Sequence, residues 1–485
     1  MTFVTGLYED QRKLFWFLLF GIFAVLTFVF YHSSLGNFYV LDDFVRLRVV
    51  TEGNLHENFH FIPVPLCLYR LLYLLFGASP VPLRILHLLL NVVMCLSVFR
   101  FSILLLNMYS ATLTMKRKLF VSLGASLLFC LHYIHVETIV YYSELHELLY
   151  SVFYLNGLIY YFKFKQDNSA RHYYLIFIYY LFCILSKETA VTMAVFIGVS
   201  ELLFYRTGIM QVLKRYYPLA VITAAFAATR YFFFPSMDIL NRPDSLFSVI
   251  SETAKNFIFS FTGFLFSMDF VFLKDIYREH DMNIISSLYG IAEVYPLALI
   301  MILTAGAVYA LILLRPDKLK LVLIVFVFIS VLSYAWLAGY ERYLYLPSAG
   351  LCLLLVYYLA TSKALFAFHK IPLFVIFASI LLYNIVSLEE KESNWIVASA
   401  ISQKTVTRIV ELTGSLPAGS KVFFKNLPDQ YKGAWVLRYG VHEVPILFMD
   451  RSDVKFYYDY QKPETPLNGL NEYEYDYNTD KLYEI

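Results

Sequence analysis

Apolar runs separated by short polar turns set the pattern of this chain from Leu14 to about Leu388. Runs of about 18 or more apolar residues are the signature of membrane-spanning helices. Spans are expected at about Leu14–Tyr31, Pro82–Leu106, Leu119–Tyr133, Leu148–Phe164, Tyr173–Leu185, Ala190–Tyr205 and Tyr217–Phe234. Further spans follow at about Tyr289–Leu314 and Leu321–Leu337, then one reaching Lys363, and a last at Pro372–Leu388. Residues 257–272 are apolar but contain Gly263 and Asp269 and lack basic flanks, so a re-entrant or surface-lying segment is expected there. Basic clusters alternate along this order, with Arg12 and Lys13, Lys116-Arg117-Lys118, Arg206 and Lys214, and Arg315 and Lys318 on one side. Positive charge marks the inside, so the count comes to about eleven spans with the carboxyl terminus outside.

After Glu389 the pattern changes. A helical stretch from Trp395 to Leu412 ends at Thr413-Gly414, and strand-like runs follow at Lys421–Phe424, Ala434–Leu437 and Lys455–Tyr458. The reading is a transmembrane domain over 1–390, with an outside loop at 32–81, and a small extracytoplasmic α/β domain over 391–485.

Composition agrees with the pattern. The chain is 59% hydrophobic and 19% aromatic with only 16% charged residues, and its mean hydropathy is +0.60, values that exclude an ordinary soluble domain. A net charge of +2 and the absence of a basic tract longer than Lys116–Lys118 give no reason to expect nucleic acid as a partner. Four of the five cysteines lie in apolar runs, and none has metal-ligand spacing.

Candidate chemistry collects at the outer ends of the spans. Asp42 and Asp43 are adjacent carboxylates, a pairing that disfavours double ionisation and suits acid–base work. With them fall Arg46, His135, Glu137, Glu144, His146, Glu147, Lys187, Glu188, Glu341 and Arg342. Each has an ordinary explanation as a helix cap or an interfacial anchor. Their gathering on one face is what those explanations do not predict, because the inside loops hold little but topology charges.

Four motifs occur in order: Asp42-Asp43 after span one, His132-x-x-His135-x-Glu137 after span three, Leu185-Ser186-Lys187-Glu188-Thr189, and Glu341-Arg342-Tyr343-Leu344-Tyr345-Leu346-Pro347. Together they resemble the GT-C membrane glycosyltransferases, in the branch of the protein O-mannosyltransferases and the transmembrane-and-TPR mannosyltransferases. The tail, with Asn426-Leu427-Pro428-Asp429 and Gly433-Ala434-Trp435, is similar to that of bacterial members whose substrates are mostly unassigned. No TPR array follows the membrane part and no β-trefoil interrupts it, so an acceptor is not carried over.

The resemblance implies inverting transfer of a monosaccharide from a polyprenyl-phosphate donor to a protein, lipid or glycan hydroxyl. It implies a bacterial cytoplasmic membrane, with the site facing outside. It puts the base on the first outside loop, at Asp42 or Asp43, of which Asp42 is the preferred base and Asp43 its modulator; Arg342 and Lys187 are the candidates to hold the donor phosphate, and His135 could add a donor. Arg46, Glu137, Glu188, Glu341 and His146 fall on the supporting or acceptor side. His135 and Glu137 sit where oligosaccharide-transferring relatives carry metal-binding carboxylates, a thin ligand set for a divalent ion, so no required cofactor is expected. Rival readings are a transporter or flippase for lipid-linked sugars, a glycan polymerase or ligase, and a non-catalytic scaffold that would find Asp42-Asp43 dispensable.

Overall fold

A computed structural model of the chain describes residues 6–53 (except 9), 61–233, 256–267 (except 259), 296–334 (except 315 and 333), 341–361, 370–458 and 472–484. Helices dominate it. They are α1 (Arg12–Tyr31), α2 (Asp42–Thr51), α3 (Pro63–Phe76), α4 (Val81–Tyr109), α5 (Met115–Cys130), α6 (Val136–Val140), α7 (Leu145–Asp167) and α8 (Ala170–Ile184). They continue with α9 (Val191–Leu203), α10 (Ile209–Phe233), α11 (Pro296–Leu313), α12 (Lys318–Leu332), α13 (Tyr345–Thr361), α14 (Lys370–Thr413) and α15 (Val444–Met449). Among the described residues, a helix overlaps each of the eleven apolar runs expected to span.

Among the described residues, three stretches are by themselves long and apolar enough to cross a membrane: Arg12–Gly36, Val81–Tyr109 and Glu341–Thr361. A fourth results if Met115–Cys130 and Tyr133–Val140, bent by 49° at their junction, form one broken span. Others are short. α8 and α9 have 15 and 13 residues, so at about 1.5 Å per residue they reach about 20–23 Å against a hydrocarbon core of about 30 Å. Apolar side chains remain exposed along α1, Phe17, Val25 and Phe28 among them, as on a helix that meets lipid.

Two elements depart from expectation. The outside loop 32–81 holds two helices, α2 and the apolar α3, whose Leu71, Leu74 and Leu75 are exposed. The compositional break at Glu389 is no break in the backbone, because α14 runs through it for 44 residues. The segment expected at 257–272 is helical over Asn256–Leu265, and its remainder from 268 lies outside the described residues.

The C-terminal part is a four-stranded sheet of order β4-β1-β5-β6, with β1 (Lys421–Lys425), β4 (Lys455–Tyr458), β5 (Glu472–Asp476) and β6 (Lys481–Glu484). β1 pairs parallel with both β4 and β5, and β6 returns antiparallel on β5. The central strand therefore buries both faces: Val422 and Phe424 lie to one side and Phe423 to the other, stacked on Tyr457 at 5.2 Å. A second, two-stranded hairpin joins β2 (Gln430–Tyr431) to β3 (Ala434–Trp435). Lys432 and Gly433 between them have φ of 47° and 83°, the left-handed pair that a tight two-residue hairpin requires. The strand expected over Ala434–Leu437 thus stops at Trp435, and Val436 and Leu437 turn towards α2.

Candidate active site

Asp42 and Asp43 open α2, where carboxylates meet the positive end of the helix dipole. Their side chains part ways. Asp43 is fully buried and accepts three hydrogen bonds: Val40 N–H at 3.0 Å, Ser143 N–H at 2.9 Å and Ser143 Oγ–H at 2.7 Å. It clamps the start of α2 to the turn Tyr142–Glu144. Burial pushes its carboxyl up to about 7, while the Arg84 guanidinium and the three donors pull the other way. Asp42 is partly exposed, and its backbone N–H donates to the Tyr141 hydroxyl at 3.0 Å.

Tyr141 joins this pair to the arginine of the Glu341–Leu344 turn. The Arg342 guanidinium lies 5.9 Å from the centre of the Tyr141 ring, which also packs against the Trp395 ring of α14 at 5.3 Å. Arg342 Nη1 is 3.1 Å from Glu144 and 3.4 Å from Glu137, and the Arg342 backbone N–H donates to Glu137 at 3.2 Å. Two carboxylates thus fix the fork.

The cluster continues to Lys187. Its ammonium forms an ion pair with the fully buried Glu147 and sits 4.9 and 5.0 Å from the rings of Tyr334 and Tyr343. Those rings stack at 4.3 Å, only 5° from parallel, and the Arg342 guanidinium lies 5.4 Å from Tyr343. Burial alone would push the Lys187 ammonium down, but Glu147 and Glu144 raise it, and it stays charged. Arg342 and Lys187, from two separate segments, therefore share one aromatic-walled cluster with Glu137, Glu144 and Glu147, and the Asp42 backbone reaches its edge through the Tyr141 hydroxyl.

Other expected residues go elsewhere. His135 is fully buried between the rings of Phe129 and Tyr345, and its Nε2 is 2.7 Å from Ser348 Oγ. It serves helix packing and offers no direct contact to a donor phosphate, and it does not join Glu137 in a ligand pair. Glu188 faces Arg230 at 3.8 Å, and Glu341 pairs with Lys391 of α14. Arg46 is buried where its charge, with those of Asp43 and Glu144, reaches the Tyr69 hydroxyl.

His146 lies against Glu144 at 3.8 Å, with Nδ1 2.9 Å from the Ser143 carbonyl. That carbonyl can only accept, so Nδ1 carries the proton and Nε2 is left towards Glu144. Ligand atoms of Glu144, His146 and Glu147 lie within 4.8 Å of one another, and this trio, rather than His135 with Glu137, is where a divalent cation would fit.

Sequence reasoning missed three participants. Arg84, early in α4, is 3% exposed and donates to the carbonyls of Val140, Asn37 and Phe38. A lone arginine in the first turn of an apolar run on the outer side was the available signal. Tyr141 and Trp395 had none, because aromatic residues fill 19% of the chain.

No family model and no curated protein matches this chain. What the site does is therefore read from its chemistry.

Proposed function

We propose that the chain is a GT-C-type membrane glycosyltransferase that crosses the bilayer about eleven times. It would move a monosaccharide from a polyprenyl-phosphate donor to an acceptor hydroxyl on the extracytoplasmic face, with inversion. The observation that carries this reading is the meeting of Asp42 and Arg342 at Tyr141. The backbone N–H of the proposed base and the guanidinium of the proposed phosphate-binding cation both reach this one tyrosine, which supports their acting on one substrate.

In this reading Asp42 takes the proton of the acceptor hydroxyl as its oxygen bonds to the anomeric carbon. The bond from that carbon to the phosphate oxygen breaks, and the lipid phosphate leaves with the electron pair. Arg342 and Lys187 share its charge; losing one such stabiliser typically costs about 2.7–4 kcal/mol of barrier. Glu137, Glu144 and Glu147 hold both cations in place before the donor arrives. The charged groups gather at the ends of helices, whereas transporters place such groups near the bilayer midplane, which favours an enzyme over a flippase.

The test is transfer in proteoliposomes supplied with a polyprenyl-phosphate sugar and an acceptor. Asp42→Asn should abolish transfer while binding of the donor lipid persists. Near-normal turnover in both Asp42→Asn and Asp43→Asn removes the assignment.

A further inference from the structure

The backbone reaches Asp42 through a conformation that few residues adopt. Leu41 has φ of 40° and ψ of −109°, a region strained for a non-glycine residue that persists only where the surroundings impose it. The surroundings here belong to the C-terminal part of the chain. The Leu41 N–H donates to the Val436 carbonyl at 3.0 Å. Gly440, in the turn Arg438–Glu443, lies directly on the Leu41 carbonyl: a Cβ there would stand 2.7 Å from that oxygen and 2.8 Å from the Phe44 ring. Gly440 is outside the left-handed region, so space alone, not backbone freedom, excludes a side chain. The same turn grips the far end of α2, where Arg48 Nη1 lies 2.8 Å from Glu443.

We propose that the small C-terminal domain is a positioning element of the active site. Gly440 and the Val436 carbonyl clamp Leu41 and so set where the Asp42 carboxylate stands relative to Arg342. This rests on Asp42 being the base. The Leu41 carbonyl and the Asp42 N–H belong to one planar peptide unit, so a displacement of the carbonyl moves that N–H and its hydrogen bond with Tyr141. The outer domain is thereby part of the catalytic unit, with no catalytic residue of its own.

Full-length Gly440→Ala in lipid nanodiscs tests this through transfer kinetics and amide hydrogen exchange over residues 38–46. Exchange there should accelerate, and kcat should fall about 10²-fold, the scale of an ångström-level misplacement. The donor KM should stay within about twofold, because the phosphate-binding cations are untouched. Glu443→Gln removes only a half-exposed ion pair and should fold normally, with faster exchange and a fall in kcat of about two- to threefold. It decides the matter if Gly440→Ala does not fold. Unchanged exchange over 38–46, or faster exchange with unchanged kcat, overturns the proposal. If the wild-type protein transfers no sugar from any polyprenyl phosphate, the enzymatic reading falls, and the exchange measurement alone then decides the clamp.

Discussion

Arg342→Ala is the most informative substitution, because Arg342 is bound to have two effects that can be separated. Its guanidinium is the shared counter-charge of Glu137 and Glu144, whose side chains are 9% and 3% exposed. Removing one partner of a buried pair typically costs about 3–5 kcal/mol. Proton uptake by a stranded carboxyl lowers that cost, the more so as pH falls. The destabilisation should be about 3–5 kcal/mol at pH 7 and smaller at pH 5.5, where a stranded buried carboxyl takes up a proton more readily. Thermal unfolding in detergent at the two pH values reads this directly. Adding Glu137→Gln and Glu144→Gln removes the orphaned charges and should restore stability, while transfer and donor binding stay lost. A triple variant that regains both stability and transfer would show that Arg342 is only a counter-ion. A pH-independent loss would refute the ion-pair reasoning.

Lys187→Ala should cost a similar 3–5 kcal/mol, since it strands the fully buried Glu147, and Lys187→Gln should recover part of the fold but not donor affinity in a lipid-binding assay. Burial raises Asp43 to about 7, so the fold favours its protonated form: this contribution to stability is complete below about pH 4 and is lost as pH rises through about 7. Asp43→Asn should flatten the unfolding midpoint across that window, yet lower transfer, because an amide nitrogen in place of one oxygen meets N–H donors from Val40 or Ser143. Trp395→Ala should remove about 0.5–1.5 kcal/mol of ring pairing with Tyr141 and reduce kcat more than donor KM. Cysteines placed at Lys118 and at Glu443 should react with impermeant maleimide from opposite sides of sealed vesicles, and labelling from the same side would overturn the topology.

The helical scaffold was legible because membrane-length apolar runs announce themselves one at a time. α3 was not, since its 14 residues fall short of a span and follow a polar loop. The long helix α14 was read as two pieces: the change from Leu388 to Glu389 is a change of surroundings, which leaves backbone geometry intact. β1 and β4 carried aliphatic and aromatic runs, whereas β5, Glu-Tyr-Glu-Tyr-Asp, alternates without aliphatic residues, and its parallel partner lies some 50 positions away. In the site, charged residues identified themselves by type and by side of the membrane. Which partner each would take was not written locally: Glu341 and Glu188 chose Lys391 and Arg230, and His135 turned into the helix packing. Arg84 passed as part of a span because one charge barely alters a run of 29 residues.

The unbroken α14 has a mechanical consequence. At about 1.5 Å per residue, the 29 steps from Lys370 to Ser399 make an arm of about 44 Å, and its outer half touches the loop before Asp42, where Ser399 and Ser402 hold Phe38 and Tyr39. Tilting the helix by 5° about its Lys370 end sweeps Ser399 sideways by about 4 Å over such an arm. On the proposed reading, in which the first half of α14 crosses the bilayer, a change in bilayer thickness that alters its tilt moves this loop, and transfer should run at different speeds in short-chain and long-chain phospholipids.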